Sequence, residues 1–171
     1  TPYYYSTYEG GSAESGVDYV PGLSSSVKQK IAVVGSGPIR IGQGIEFDYG
    51  CVHAAGAIQD LGHEAIIINN NPETVSTDFD TSDRLYFDPL TLESVSEILL
   101  REDANGILLQ FGGQTAINLA LPLANELPHL STMGLELMME GTSPESIDEA
   151  SDRERFEEFA LRCGLRMPDG A

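Results

Sequence analysis

The chain has 171 residues, of which 27 are acidic and 9 are basic, so its formal net charge at neutral pH is −18. Hydrophobic residues make up 41% of the sequence, which suits one domain with a core of its own and excludes a disordered acidic tail. The negative charge would repel nucleic acids and anionic membranes, so we expect neither as a partner. No apolar run in the sequence approaches the roughly 18 residues of a membrane-spanning helix.

Residues 1–28 are rich in tyrosine, glycine and serine, a composition that predicts an extended arm or linker. Short apolar runs then alternate with helical patterns over residues 29–142, and C-terminal helices are expected within residues 143–171. Strands that alternate with helices in this way predict an α/β domain with a doubly wound parallel sheet. The predicted strands are residues 31–34, 65–68, 84–87, 107–111 and 135–138.

Helical periodicity and capping residues place a helix after most of these strands. The first predicted helix ends at Gly62 and carries Val52, Ala55, Ile58 and Leu61 on one face. Thr91 is expected to cap the second helix, and a third is expected over residues 114–125, followed by a surface loop at 126–133. A further helix should begin at Pro144 after Ser143, and the last helix should have a capping box of Ser151 and Glu154.

Residues 35–49 read Gly-Ser-Gly-Pro-Ile-Arg-Ile-Gly-Gln-Gly-Ile-Glu-Phe-Asp-Tyr and connect the first strand to a helix. The glycines allow a sharp turn and expose amide groups at a helix N-terminus, where anions are favoured. However, Arg40 stands where a dinucleotide-binding fingerprint needs its third glycine, and Asn69 stands where it needs an acid. A Rossmann-type NAD(P)-binding domain is therefore disfavoured. It stays open as an alternative, as does a non-catalytic acidic interaction module.

Four blocks in this order, residues 35–49, 71–87, 111–115 and 141–148, resemble the second synthetase half of the carbamoyl phosphate synthase large subunit family. The resemblance implies a Rossmann-like pre-ATP-grasp domain from the half that phosphorylates carbamate to carbamoyl phosphate. In this family an ATP-grasp domain holds ATP and Mg²⁺ (or Mn²⁺), and it would begin after Ala171. We therefore expect no catalytic residue in this chain and no activity of the chain alone.

The resemblance further implies that the complete protein is an ATP-dependent ligase that uses bicarbonate and glutamine-derived ammonia. Its partners would be a glutaminase small subunit and the rest of the large subunit, in arginine and pyrimidine biosynthesis. Cys51 and Cys163 show no pairing or metal-ligand spacing, which predicts free thiols in a reducing cytoplasm and no metal site. Only Lys28 and Lys30 are lysines, and such an acidic, lysine-poor composition is similar to that of proteins from halophiles. The alternative is an ordinary acidic cytosolic protein.

In a doubly wound sheet, functional loops lie beyond the carboxyl ends of the strands. We therefore expect residues 35–46, 69–83 and 111–115 to converge at one edge. In the family that the chain resembles, the loops matching Gly44, Glu46 and Glu73 line a channel for carbamate. The alternatives are that Glu46 complements the helix dipole and that Glu73 is a solvated loop carboxylate.

Four further residues are candidate loop contacts: Arg40, Gln43, Asn71 and Gln114. Arg40 lies between two isoleucines, so its guanidinium needs an acid, a phosphate or a carbonyl, and a structural pair with Asp48 is one alternative. Gln114 follows two glycines and could present its amide to a ligand or begin a helix.

Overall fold

The computed structural model describes residues 3–4, 28–38 and 44–166 of the chain. The strands are β1 (Tyr3–Tyr4), β2 (Lys30–Val34), β3 (Glu64–Ile68), β4 (Arg84–Tyr86), β5 (Gly106–Leu108) and β6 (Met138–Met139). They form a six-stranded sheet in the order β1-β4-β3-β2-β5-β6, with every neighbouring pair parallel. The chain moves outward from β2 to β4 and then returns to β5. The predicted doubly wound parallel sheet is confirmed, and a crevice is expected where β2 and β5 end.

The helices are α1 (Glu46–Asp60), α2 (Leu92–Glu102), α3 (Gly113–Ile117), α4 (Ala120–Thr132), α5 (Pro144–Ser151) and α6 (Arg153–Arg162). Among the described residues, none of them is long and apolar enough to cross a lipid bilayer. Two predicted caps are confirmed. The Thr91 hydroxyl accepts a hydrogen bond from the Ser94 amide, and the Ser143 hydroxyl accepts one from the Ser146 amide.

The central strands are buried on both faces, as expected for a parallel sheet covered by helices. On one face, Val33 and Ile67 pack with Ala55 and Ile58 of α1. On the other face, the strand residues pack with helices α2 and α4 in a larger cluster that includes Ile66, Ile68, Leu99 and Leu123. The alternating residues of one strand therefore supply two separate cores.

The predicted surface loop at residues 126–133 is wrong, because this segment is the second half of α4. Leu123 and Leu130 are fully buried, and Leu127 packs against the same cluster. This spacing gives α4 an apolar face, whose burial outweighs the backbone hydrogen bond that Pro128 cannot donate. The helix predicted over 114–125 is also divided, since α3 ends at Ile117 and α4 begins at Ala120.

Two smaller predictions are corrected at helix ends. Asp152 caps α6, with its carboxylate accepting the Arg155 amide at 2.9 Å, whereas Ser151 is the last residue of α5. Leu61 was predicted to share the apolar face of α1, but it follows the last helical residue and is exposed. The chain leaves the helix at Gly62, whose φ is +82°, and enters β3 at Glu64.

Charged residues cluster at the amino edge of the sheet, opposite the site loops. Glu102 at the end of α2 is fully buried. One of its carboxylate oxygens lies 2.5 Å from a guanidinium nitrogen of Arg84 and 3.7 Å from the ammonium nitrogen of Lys30. Arg84 also lies 3.4 Å from Glu64. The Tyr86 hydroxyl donates a hydrogen bond to Glu102, and burial together with this acceptor raises the pKa of Tyr86 well above its usual range. The cluster joins the starts of three strands to α2.

Most of the arm predicted at residues 1–28 lies outside the described residues. Tyr3 and Tyr4 are described, and their backbone pairs in parallel with Leu85 and Tyr86 at the edge of the sheet.

Candidate functional site

The loops that follow β2, β3 and β5 meet at the carboxyl edge of the sheet. The Gly35 amide donates a hydrogen bond to the Ile68 carbonyl at 2.8 Å, which joins the first loop to the second. A Cβ added to Gly112 would lie 2.3 Å from the Val34 carbonyl oxygen and 2.6 Å from that of Gly35. The third loop therefore lies directly against the first. The predicted convergence is confirmed for the described parts of these loops.

Asn69 joins the first two loops from a buried position. It is only 1% exposed, and its side-chain oxygen accepts the Gly37 amide at 3.0 Å. Its side-chain nitrogen donates to the Ser76 hydroxyl at 3.3 Å. A Cβ on Gly35 would lie 2.5 Å from the Asn69 side chain, so this glycine leaves the space that Asn69 occupies. Sequence reasoning treated Asn69 only as a missing acid. A polar residue directly after a buried strand was the signal for a structural role.

Asn71, a predicted loop contact, links the same two loops. Its side-chain nitrogen donates to the Gly37 carbonyl at 3.4 Å, and its side-chain oxygen accepts the Glu73 amide at 3.1 Å. The Thr77 hydroxyl donates to the Asn71 carbonyl at 2.9 Å. Both ends of the Asn71 amide therefore hold the backbone on which Glu73 lies.

Asp48 in the first turn of α1 holds the same loop from its other side. Its two carboxylate oxygens accept the Val75 amide at 2.9 Å and the Ser76 amide at 3.1 Å. Sequence reasoning considered Asp48 only as a partner of Arg40, and both Arg40 and Gln43 lie outside the described residues. The acid two residues after Glu46 is thus a contact between α1 and the loop after β3.

Gly44, Glu46 and Glu73 are all exposed at this edge. One carboxylate oxygen of Glu46 accepts the Gly44 amide at 3.2 Å. This bond satisfies a backbone donor just before α1, and Glu46 is the first residue of the helix, where a negative charge complements the dipole. Glu73 lies two residues before Val75, which Asp48 holds against α1. The three residues therefore share one rim of the carboxyl edge.

The Gln114 side chain makes a contact within its own helical segment, where its amide nitrogen donates a hydrogen bond to the side-chain oxygen of Asn118 at 2.7 Å. This contact fits the helix-start interpretation. The preceding Gly113 has φ of +60°, and a Cβ there would lie 3.2 Å from the Phe47 ring. The start of α3 consequently packs closely against α1.

Large apolar side chains are exposed beside these carboxylates. The most exposed are Ile45 at 74%, Tyr49 at 65%, Val75 at 56% and Phe79 at 66%. They belong to α1, its N-cap and the loop held by Asp48. A mixed rim of acids and apolar side chains is typical of a surface that another protein part covers.

Cys51 lies beneath the rim, fully buried, with its thiol 3.8 Å from the Val34 carbonyl oxygen. Burial, together with the charge of Asp48, raises the pKa of Cys51 to about 12. The thiol is therefore neutral at physiological pH and cannot act as a nucleophile. Within the described ranges, no group of three or more histidine, cysteine, aspartate or glutamate side chains is arranged to hold a metal ion.

Comparison with known proteins identifies the family. A family model described as the carbamoyl phosphate synthase preATP-grasp domain matches residues 27–149. The chain belongs to this family. The match decides against the NAD(P)-binding domain and the acidic interaction module that the sequence had left open.

The chain is similar in sequence to longer proteins that carry the name carbamoyl phosphate synthase large chain. The protein from Methanothrix thermoacetophila is 54% identical over 168 residues, covering 98% of this chain and 14% of the relative. The protein from Myxococcus xanthus is 50% identical over 169 residues, covering 99% of this chain and 14% of the relative. The chain thus spans about one seventh of the length of these relatives.

Solved structures share the fold of the pre-ATP-grasp domain. The biotin carboxylase domain of a single-chain bacterial carboxylase matches with a TM-score of 0.57 at 13% identity, over 84% of this chain and 31% of the other. The biotin carboxylase domain of a thermophilic 2-oxoglutarate carboxylase matches with a TM-score of 0.51 at 22% identity, over 84% of this chain and 29% of the other. At these identities the likeness establishes the fold alone.

Proposed function

We propose that this domain belongs to the second, carbamoyl-phosphate-forming half of a carbamoyl phosphate synthase large chain and shapes the exit of a carbamate channel. The complete protein would consume two ATP, with Mg²⁺ or Mn²⁺, bicarbonate and ammonia from a glutaminase small subunit. The nucleotide and the metal would be bound mainly outside this chain. Support comes from relatives at 54% and 50% identity that carry the large-chain name.

One structural observation carries the channel assignment. The hydrogen bonds of Asp48 hold the loop that bears Glu73 against the first turn of α1, beside Gly44 and Glu46. A small residue at position 44 would keep a passage open. Carboxylates on its wall can accept hydrogen bonds from carbamic acid and keep the wall polar without taking part in bond formation.

The exposed rim requires a second wall before it can enclose an unstable intermediate. Ile45 and Val75 are more than half exposed and flank the carboxylates. Burying such side chains against another part of the large chain would contribute about 25 cal/mol per Å² of apolar surface and exclude water from the passage. We assign this role to the remainder of the complete protein.

The proposal extends to organisation and setting. The pre-ATP-grasp domain would span residues 29–142, and the C-terminal helices α5 and α6 would lead towards an ATP-grasp domain in the complete protein. The free thiols of Cys51 and Cys163 suit the cytoplasm, where arginine and pyrimidine precursors are made. The net charge of −18 and the shortage of lysine favour a halophilic source.

The test uses the complete enzyme with Glu46→Gln, Glu73→Gln and Gly44→Leu. Asp80→Asn is the matched control, because Asp80 is an exposed acid of the same loop with no side-chain hydrogen bond in the described part of the chain. Each glutamate variant should lower glutamine-dependent carbamoyl phosphate synthesis by about tenfold, the loss expected for one hydrogen bond to a charged group. Gly44→Leu should block transfer, because the leucine would fill the passage and because a Cβ at this position would lie 2.3 Å from a Glu46 carboxylate oxygen, which would have to move.

Partial reactions identify the step that is lost. Bicarbonate-dependent ATP hydrolysis reports the first half, and ATP formation from carbamoyl phosphate and ADP reports the second. Both should be retained in every variant. If Glu73→Gln abolishes the second reaction, Glu73 is part of an active site and the channel assignment is wrong. If neither glutamate variant lowers overall synthesis more than Asp80→Asn does, both are solvated acids.

A further inference from the structure

The loop that carries Glu73 contains a short 3-10 turn, Val75–Thr77, whose first amides need hydrogen-bond acceptors. The residue before the turn, Thr74, makes no side-chain cap. Asp48 supplies the cap from a different element, with one carboxylate oxygen on the Val75 amide at 2.9 Å and the other on the Ser76 amide at 3.1 Å. Hydrogen bonds that involve a charged group are shorter and stronger than neutral ones.

The loop is thereby fixed at two points on either side of Glu73. Upstream, Asn71 bonds to the Gly37 carbonyl and to the Glu73 amide. Downstream, Asp48 bonds to Val75 and Ser76. Only the downstream anchor lies on α1, two residues from Glu46. The distance between the two candidate channel carboxylates therefore depends on Asp48.

We propose that Asp48 is a positioning residue for carbamate transfer, which sets the width of the passage by holding Glu73 at a fixed distance from Glu46 and Gly44. The inference rests on the channel function proposed above and assigns Asp48 no contact with the intermediate. Its carboxylate acts through the backbone of the 3-10 turn, and Glu73 acts on the intermediate.

Asp48→Asn is the sharpest perturbation because it preserves the size of the side chain. The amide keeps one oxygen acceptor, whereas its nitrogen cannot accept a backbone N–H, so one of the two turn amides loses its partner. In the complete enzyme we expect glutamine-dependent synthesis to fall about tenfold, as for the loss of one charged hydrogen bond. The second-half partial reaction should stay within about twofold of wild type, and more ATP should be hydrolysed per carbamoyl phosphate formed.

A double-mutant cycle with Glu73→Gln separates positioning from a general structural effect. If Asp48 acts through Glu73, then Asp48→Asn should lower synthesis by less than about twofold in the Glu73→Gln background, since the group that it positions is already lost. Asp80→Asn changes the charge of the same loop without removing a hydrogen bond. It should leave unchanged both the rate of synthesis and the amount of ATP hydrolysed per carbamoyl phosphate formed.

The outcomes distinguish this inference from the function on which it rests. If neither Glu46→Gln nor Glu73→Gln lowers synthesis, the channel function fails and the inference fails with it. If Glu46→Gln lowers synthesis and Glu73→Gln does not, the inference about Glu73 fails while the channel function stands. If Glu73→Gln impairs synthesis but Asp48→Asn does not, only the positioning role is overturned. Independent, multiplicative losses in the double mutant would also overturn it.

A second variant covers the case in which Asp48→Asn unfolds the domain and abolishes the partial reaction. Val75→Pro removes the N–H that Asp48 accepts while leaving α1 intact. The site accepts proline, because Val75 is the first residue of the turn and the preceding Thr74 is extended, with φ −121° and ψ 155°. Val75→Pro should lower synthesis and retain the second-half reaction. Unchanged synthesis in this variant would overturn the proposal.

Discussion

Gly112 is the position at which a single methyl group should most disturb the candidate site. An added Cβ would lie 2.3 Å from the Val34 carbonyl oxygen, 2.6 Å from the Gly35 carbonyl oxygen and 2.5 Å from the Ala116 Cβ. Contacts between carbon and oxygen are normally no shorter than about 3.3 Å, so a shift of roughly 1 Å is needed. These neighbours belong to a central strand end and to α3, and neither can swing aside as a flexible side chain would.

The cost of Gly112→Ala is almost purely steric. The φ of Gly112 is −88°, which alanine adopts without strain. Overpacking of a rigid interior costs about 1–3 kcal/mol and occasionally more. Because the added methyl group makes three close contacts with rigid neighbours, we expect the free energy of unfolding to fall by about 3 kcal/mol. For a chain of this size, about 2–4 °C of melting temperature is lost per kcal/mol, which gives a decrease of roughly 6–12 °C.

Gly56→Ala is the matched control, since it adds the same methyl group within α1, where nothing lies within 4 Å of the added Cβ. It should stabilise the chain by about 0.5–1 kcal/mol, because glycine is unfavourable inside a helix. Urea unfolding followed by far-UV circular dichroism measures both variants. A Gly112→Ala protein within about 0.5 kcal/mol of wild type would show that the loops after β2 and β5 are not packed as described.

Three further predictions concern stability. Glu102→Gln should lower the free energy of unfolding by about 3 kcal/mol in urea titration, because Arg84 loses a buried counterion; a loss under about 1 kcal/mol would refute this. The pKa of Cys51 is raised from 9.0 to about 12, so the folded state keeps the thiol proton to a higher pH than the unfolded state does. The free energy of unfolding should therefore fall as the pH rises between these two values. Cys51→Ala should reduce that slope, and an unchanged slope would contradict the assignment. With a net charge of −18, the melting temperature should rise from dilute buffer to molar KCl, and a flat or falling profile would remove the halophile proposal.

Local signals in the sequence determined most of the architecture. The apolar runs of β2 and β3 predicted buried parallel strands, and Thr91 and Ser143 predicted helix starts that the structure contains. Such features depend on a few consecutive residues, because periodicity and capping act within one element. The alternation of strands and helices then predicted which loops meet at the carboxyl edge.

Packing decided where local signals conflicted. Pro128 disfavours a helix, yet α4 continues through it because Leu123, Leu127 and Leu130 pack in the core. Whether those leucines meet a partner surface depends on the position of the neighbouring elements. Local sequence carries no information about that position, so a local reading ends the helix too early.

Only the tertiary structure decided how the site is held together. Asn69 bonds to Gly37 across 32 residues, and Asp48 bonds to Val75 across 27. Neither pair belongs to a periodic pattern, and each requires two loops to be placed by the sheet before the hydrogen bond can form. The sequence predicted that Gly44, Glu46 and Glu73 follow strands, in the connections beyond their carboxyl ends. The long-range hydrogen bonds of Asp48 and Asn69 decided that they share one rim, because backbone amides left free by a turn must find acceptors wherever the fold brings them.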